Sequence, residues 1–162
     1  MKKVILFSIF SLIAFTGFSQ KSDKSTKLSI GAELGLPIGD FSAGYSLAVG
    51  FSGQADFNVA NNIDLTLNAG YTRFLGKDGA DGSGAIPVLG GAKYHFSDKV
   101  YGSAQLGVSF FSFGGESLTL FTFAPGVGYK VSDNFDLLFK YSSISDDGGS
   151  INWIGVRAAY SF

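Results

Sequence analysis

From Leu28 onward the chain alternates, almost without a break, between apolar side chains and polar or glycine positions. Leu28, Ile30, Ala32, Leu34 and Leu36 share one parity, and Ser29, Gly31, Glu33 and Gly35 share the other. Successive side chains of a strand point to opposite faces, so a period of two predicts strands with one apolar face. Followed to the C-terminus, the pattern predicts eight strands: Leu28 to Ile38, Ser46 to Val59, Ile63 to Leu75, Ile86 to Phe96, Val100 to Phe111, Leu118 to Val131, Phe135 to Ile144 and Ile151 to Phe162.

The connections alternate in kind. Ala60 to Asn62, Ser97 to Lys99 and Ser132 to Asn134 are short and carry Asn or Asp, residues that tolerate the left-handed backbone of hairpin turns. Gly39 to Tyr45, Gly76 to Ala85, Ser112 to Ser117 and Ser145 to Ser150 read as longer Gly, Asp and Ser segments. The prediction is an all-β, eight-stranded antiparallel up-and-down barrel, with the turn and loop asymmetry of transmembrane barrels. An even strand number returns both chain ends to the turn side, the periplasmic side for an exported chain.

Parity also sorts the two faces. One stays apolar through Val127, Tyr129, Phe135, Leu137, Phe139 and Tyr141. The other carries Glu33, Asp56, Asp64, Lys93, Lys130, Asp136, Lys140 and Arg157, with Asn58, Asn68, His95 and Gln105, padded by glycines. A soluble barrel would turn the apolar face inward and a transmembrane barrel would turn it outward; parity alone does not choose.

Three features favour the membrane arrangement. Aromatics gather at strand ends: Phe57, Tyr94, Phe96, Tyr129, Phe135, Tyr160 and Phe162 near the turns, and Tyr45, Tyr71, Phe110, Phe121 and Tyr141 near the loops, as two interfacial girdles would require. The eight charges named on the polar face balance, four acidic against four basic, which suits an enclosed space where each charge needs a partner. Glycines crowd the same face, as the narrow interior of an eight-stranded barrel demands. The turns then predict particular neighbours: Lys130 opposite Asp136 as an ion pair, His95 opposite and hydrogen-bonded to Tyr101, and, at the closing seam, Arg157 near Glu33. These are structural lumen charges.

Composition and the termini add compartment. Met1-Lys-Lys3, an apolar run from Val4 to Phe18 and small residues at Gly17-Phe-Ser19 form a signal peptide over 1–19, with cleavage before Gln20. The run is shorter than the roughly 20 residues a transmembrane helix needs. Residues 20–27 would form a short periplasmic segment and 28–162 the outer-membrane barrel. There is no cysteine, so disulfides, thiolate metal sites and lipid attachment at an N-terminal Cys are excluded. The last strand ends on Tyr160 and Phe162, an aromatic terminus resembling the insertion signal of outer-membrane barrels, through which the barrel-assembly machinery would be a partner.

Four phrases, Ile86-Pro-Val-Leu-Gly-Gly-Ala-Lys-Tyr-His-Phe96, Tyr101-Gly-Ser-Ala-Gln-Leu-Gly-Val-Ser-Phe110, Phe123-Ala-Pro-Gly-Val-Gly-Tyr129 and Trp153-Ile-Gly-Val-Arg-Ala-Ala-Tyr-Ser-Phe162, resemble the small outer-membrane β-barrel domain family. This family is often labelled porin family, is common in Bacteroidetes-type bacteria, and is similar to the OmpX group and the OmpA membrane domain. The resemblance implies an integral Gram-negative outer-membrane protein of the cell envelope and brings no catalytic motif. Pro125 stands inside a predicted strand, where it gives up a ladder hydrogen bond unless a bulge takes it up.

Candidate chemistry is sparse. Small barrels that modify outer-membrane lipids use a histidine near the outer leaflet, whereas the one histidine, His95, falls at the turn end of its strand, away from such a substrate. No enzyme activity, catalytic residue, metal site or cofactor is therefore expected. Asp78 to Gly84 resembles a calcium loop but lacks the closing bidentate glutamate. Gly126-Val-Gly128 and Gly79-Ala-Asp-Gly82 open no helix and so offer no phosphate cradle. Scattered lysines give no nucleic-acid surface.

The loops remain. Asp40, Asp78, Asp81, Glu116, Asp146 and Asp147 stand there against Arg73 and Lys77. The expected role is structural or interactive, in adhesion, surface masking or envelope integrity. Outer-membrane lipids and lipopolysaccharide, and an extracellular protein or surface, are the expected partners. The alternative is a narrow porin-like channel, which an eight-stranded interior filled by side chains disfavours.

Overall fold

The computed structural model describes residues 26–77, 82–113, 116–146 and 149–162. The expected signal peptide, most of the expected 20–27 segment and the loop acids Asp78, Asp81 and Asp147 lie outside the described residues. Eight strands run in chain order: β1 (Thr26–Ile38), β2 (Tyr45–Ala60), β3 (Ile63–Gly76), β4 (Ser83–His95), β5 (Val100–Phe113), β6 (Glu116–Lys130), β7 (Phe135–Asp146) and β8 (Gly149–Ser161). Each pairs antiparallel with its sequence neighbours, and β1 pairs with β8, so the sheet closes into an up-and-down barrel with no free edge.

The parity reading holds round the wall. Leu28, Ile30, Leu34 and Leu36, then Phe51, Leu65, Leu67, Val88, Leu106, Val127 and Phe139, are exposed on the outside. Gln54, Asp56, Thr66, Asn68, Lys93, Gln105, Asp136 and Arg157 are buried inside. An apolar exterior round a polar interior inverts the arrangement of a water-soluble barrel and matches a wall bathed in lipid.

Two expectations about the connections fail. β1 starts at Thr26, so Lys27 belongs to the wall and not to a preceding tail. Two of the four long loops are not long, because strand pairing runs almost to their tips. Phe113 pairs with Glu116 and Asp146 with Gly149, leaving only residues 114–115 and 147–148 between the strands. Ser, Gly and Asp there read as loop, yet once two neighbouring strands are in register the ladder continues through them. The first connection also holds structure: Gly39–Ala43 forms a short 3₁₀ turn, entered through Gly39 at φ 65°, a left-handed conformation that glycine adopts without strain.

Prolines fall into one pattern. Pro125 pairs in register with Ala104 on β5, but the β6–β7 ladder lapses between Phe123↔Ser143 and Gly126↔Lys140 and resumes in unchanged register. No bulge forms. Pro87 pairs with Ser109 on β5, while the β3–β4 ladder lapses between Ala69↔Val88 and Thr72↔Ala85, again without a shift. Pro37 pairs with Trp153 on β8 and lies past Gly35↔Ala48, where pairing with β2 ends. Each ring thus turns its missing N–H toward a place with no ladder bond to make.

Candidate functional site

The lumen is built in two storeys, one ionic and one aromatic. At the turn end it is polar. Lys93 Nζ lies 2.7 Å from Asp56 Oδ2, and Gln54 Nε2 donates to Asp56 Oδ1 at 2.7 Å. Gln105 Nε2 donates to Gln54 Oε1 at 3.2 Å and to Thr66 Oγ1 at 3.1 Å, and Asn68 Nδ2 donates to Gln54 Oε1 at 3.3 Å. The lysine ammonium also sits 4.9 Å from the centre of the Tyr101 ring. The ammonium and amide donors named here each meet an acceptor, as burial in a narrow lumen requires, while the hydroxyl of Ser103 is buried without a partner.

At mid-height a second cluster ties the seam. Lys140 Nζ lies 2.6 Å from Glu33 Oε2, and Ser52 Oγ donates to Glu33 Oε1 at 2.6 Å. Arg157, 1 % exposed, donates from Nε to Ser52 Oγ at 2.8 Å and from Nη2 to Ser29 Oγ at 3.2 Å. β1, β2, β7 and β8 are thereby cross-linked from within. Glycine makes the room: a Cβ at Gly31 would fall 2.8 Å from Arg157 Nε.

The predicted neighbours are in place, but their bonds differ. Glu33 and Arg157 are in register across the seam, yet their closest approach is 3.9 Å and the tight partner of Glu33 is Lys140. Lys130 and Asp136 stand opposite each other without forming an ion pair; Asp136 accepts a hydrogen bond from Tyr101 Oη instead. His95 faces Tyr101 in register with ring centres 5.7 Å apart, but its hydrogen bond runs from Nε2 to Asp64 Oδ2 at 2.7 Å. The reason is common to all three. In each case register fixes only which residues sit directly opposite: Lys140 and Tyr101 reach past one strand to Glu33 and Asp136, and His95 turns to Asp64, its diagonal neighbour on the other adjacent strand.

Below these pairs the lumen opens at the turn end into a vestibule of about 350 Å³, lined by Lys27, Asn58, Asn62, Asp64, His95 and Lys130 among others. Asp64 also accepts from Asn58 Nδ2 at 2.9 Å. His95 Nδ1 is buried without a hydrogen-bond partner. A histidine held by a carboxylate has the orientation for proton transfer, but neither contact supplies a nucleophile for it to activate. Among the described residues no group of three His, Cys, Asp or Glu could hold a metal ion.

Toward the loop end the lumen changes character, which the sequence reading missed. Phe74, Phe111, Leu120, Ile144, Trp153, Ala48 and Ala85 form a single buried apolar cluster. Phe74, with no exposed surface, stands edge-on to Trp153 at 5.2 Å and 6.2 Å from Phe111. The 3₁₀ turn caps this plug: Phe41 stacks on Tyr45 at 4.3 Å and meets Phe74 edge-on at 5.1 Å. Tyr45 therefore belongs to the plug and not to the outer girdle. The other girdle aromatics face outward or lie partly exposed on the outer wall, with Phe162 71 % exposed and edge-on to Tyr160 at 5.4 Å. The missed signal was parity itself, since Phe74, Phe111 and Trp153 share the inward parity of the polar residues beneath them.

No protein-family model matches this chain, and no curated protein does. Solved structures do match in fold. Ail, the attachment invasion locus protein of Yersinia pestis, is 19% identical over 87% of this chain and 100% of its own, with a TM-score of 0.59; it has also been solved with the heparin analogue sucrose octasulfate. The N-terminal β-barrel domain of Pseudomonas aeruginosa OprF is 14% identical over 86% of this chain and 100% of its own, with a TM-score of 0.61. A de novo designed transmembrane β-barrel is 18% identical over 88% and 98%, with a TM-score of 0.55. The fold is that of the small outer-membrane barrels.

Proposed function

We propose that this chain is an integral outer-membrane protein whose barrel spans the bilayer as a sealed cylinder, with a structural or surface-interaction role and no catalytic activity. The observation that carries the reading is the combination of an apolar outer wall with a lumen filled by hydrogen-bonded charges below and an aromatic plug above. In this reading residues 1–19 are removed on export and both termini are periplasmic. The C-terminal strand, with Tyr160 and Phe162, engages the barrel-assembly machinery. Lipopolysaccharide and other outer-membrane lipids cover the wall.

Contact with an extracellular protein or surface falls to the loop end. With the connections at 114–115 and 147–148 so short, the interacting surface narrows to the 3₁₀ turn at Gly39–Ala43 and to residues 77–82. Polyanion binding, suggested by the sulfated sugar on Ail, does not carry over readily: the loop segments hold six acidic residues against Arg73 and Lys77. The channel alternative draws on the turn-end vestibule, but a passage also requires the plug to move.

The test has two arms. Protein extracted from outer membranes is expected to run faster on gels unboiled than boiled, as closed barrels do, and to give no stable unit conductance in planar bilayers. Unchanged mobility together with recovery in the soluble periplasm would overturn the membrane reading. Reproducible unit openings would replace the sealed cylinder with the channel.

A further inference from the structure

One charged side chain breaks the inside-outside rule. Lys27, Glu33, Asp56, Asp64, Lys93, Lys130, Asp136, Lys140 and Arg157 all stand on the inward parity of their strands. Among the described strand residues Arg73 alone carries a charge on the outward parity, and it is exposed. It lies in register with Val49 and Gly84, two positions beyond Tyr71 and three before the loop-end limit of β3. A cation is costly at the middle of a lipid-facing wall and nearly free at the interface. Arg73 is thus placed one tier outside the loop-end girdle of Tyr71, Phe110, Phe121 and Tyr141, at head-group depth.

The neighbouring strand is shaped to hold it. A Cβ at Gly84 would fall 2.9 Å from Tyr71 Oη, and a Cβ at Gly82 would fall 3.0 Å from Arg73 Nη2. Gly84 stands on the outward parity yet is buried, because the Tyr71 ring lies over it. Two successive outward-facing side chains of β3, Tyr71 and Arg73, therefore lie across space cleared by Gly84 on β4 and Gly82 just before it, presenting a guanidinium beside a phenol. Among the described residues Arg73 forms no ion pair, whereas the nearby Lys77 donates to Ser42 O at 2.7 Å.

We infer that Arg73 and Tyr71 form a docking site on the outer wall for the phosphate of an anionic lipid head group in the surrounding leaflet. This inference rests on the outer-membrane reading above. A planar guanidinium gives two parallel N–H donors to a phosphate, the phenol adds a third, and the apolar girdle beneath accepts the acyl chains. A free anion has no such second anchor, so the occupant is a lipid.

Native mass spectrometry of the full barrel in detergent, titrated with diphosphorylated lipid A, dephosphorylated lipid A or inorganic phosphate, tests this. The wild type is expected to retain the phosphorylated lipid about tenfold more tightly than R73Q does. R73K should fall between them, and K77Q should match the wild type. Dephosphorylated lipid A should bind wild type and R73Q equally weakly, and inorganic phosphate should not be retained. Equal retention of the phosphorylated lipid by wild type and R73Q would overturn the site, as would inorganic phosphate competing at millimolar concentration. If R73Q loses its heat-modifiable band, the wild-type preference for phosphorylated over dephosphorylated lipid decides. A wild-type chain that forms no heat-modifiable barrel in any lipid would instead defeat the membrane reading itself.

Discussion

The two ends of the lumen fill the same cylinder by opposite means. At the turn end and mid-height, space is occupied by ions and amides in fixed pairs: Asp56 with Lys93 and Gln54, Glu33 with Lys140 and Ser52. At the loop end it is occupied by rings, with Phe74 in contact with Trp153, Phe111 and Phe41. The ionic storey draws specificity from its partners, because a buried charge without one is expensive. The aromatic storey draws its stability from volume, because a cavity is expensive whatever lines it. A barrel can be shut by either; here one holds the strands in register and the other excludes water.

The contrast is sharpest at Asp56. Asp56→Leu leaves Lys93 buried and unpaired, and should cost about 4 kcal/mol in urea unfolding from lipid vesicles. Adding Lys93→Met should recover most of that loss, because two apolar side chains replace a pair instead of stranding one ion. A double variant no better than the single one would mean that this storey, too, is held by packing rather than by pairing. In the plug, Phe74→Ala should cost about 3 kcal/mol by the same measurement, with no partner change able to restore it. Trp153, the chain's one tryptophan, reports on that storey directly, and its emission should shift to the red as water enters. An unshifted spectrum would show the plug collapsing to fill the space. The smallest effect is expected where the storeys meet. Thr122 Oγ1 donates to Ser109 Oγ at 2.7 Å, both fully or almost fully buried, so Thr122→Val should cost about 1 kcal/mol through the orphaned serine. A cost near that of Asp56→Leu would show that the polar network extends into the plug.

The wall was legible in the sequence because alternation encodes it at every residue. Most strand limits fell within about three residues of those observed, since Asn and Asp mark the tight turns. Two things were hidden. Loop length was overestimated at Ser112 to Ser117 and Ser145 to Ser150, where composition describes single residues but pairing is decided by the two strands together. Lumen partners read from directly opposite positions miss Lys140 with Glu33 and Tyr101 with Asp136, which reach past an intervening strand by directions that only the closed cylinder defines. The aromatic plug had a signal that went unread. Sorting inward positions by polarity set aside Phe74, Phe111 and Trp153, although their parity already put them inside.

The prolines have a mechanical consequence. Ladder bonds lapse beside Pro87 between β3 and β4, and beside Pro125 between β6 and β7, while the other joints have no gap in mid-ladder and the register shifts of β2–β3 lie at its two ends. The cylinder is therefore not uniformly stiff round its circumference. Two weakened staves divide it into an arc of three strands, β4 to β6, and an arc of five, β7 through β3. Bending, whether from a curved bilayer or from a neighbour pressing on the wall, will concentrate along those two lines, and the cross-section will flatten there before the seam that Arg157 braces gives way.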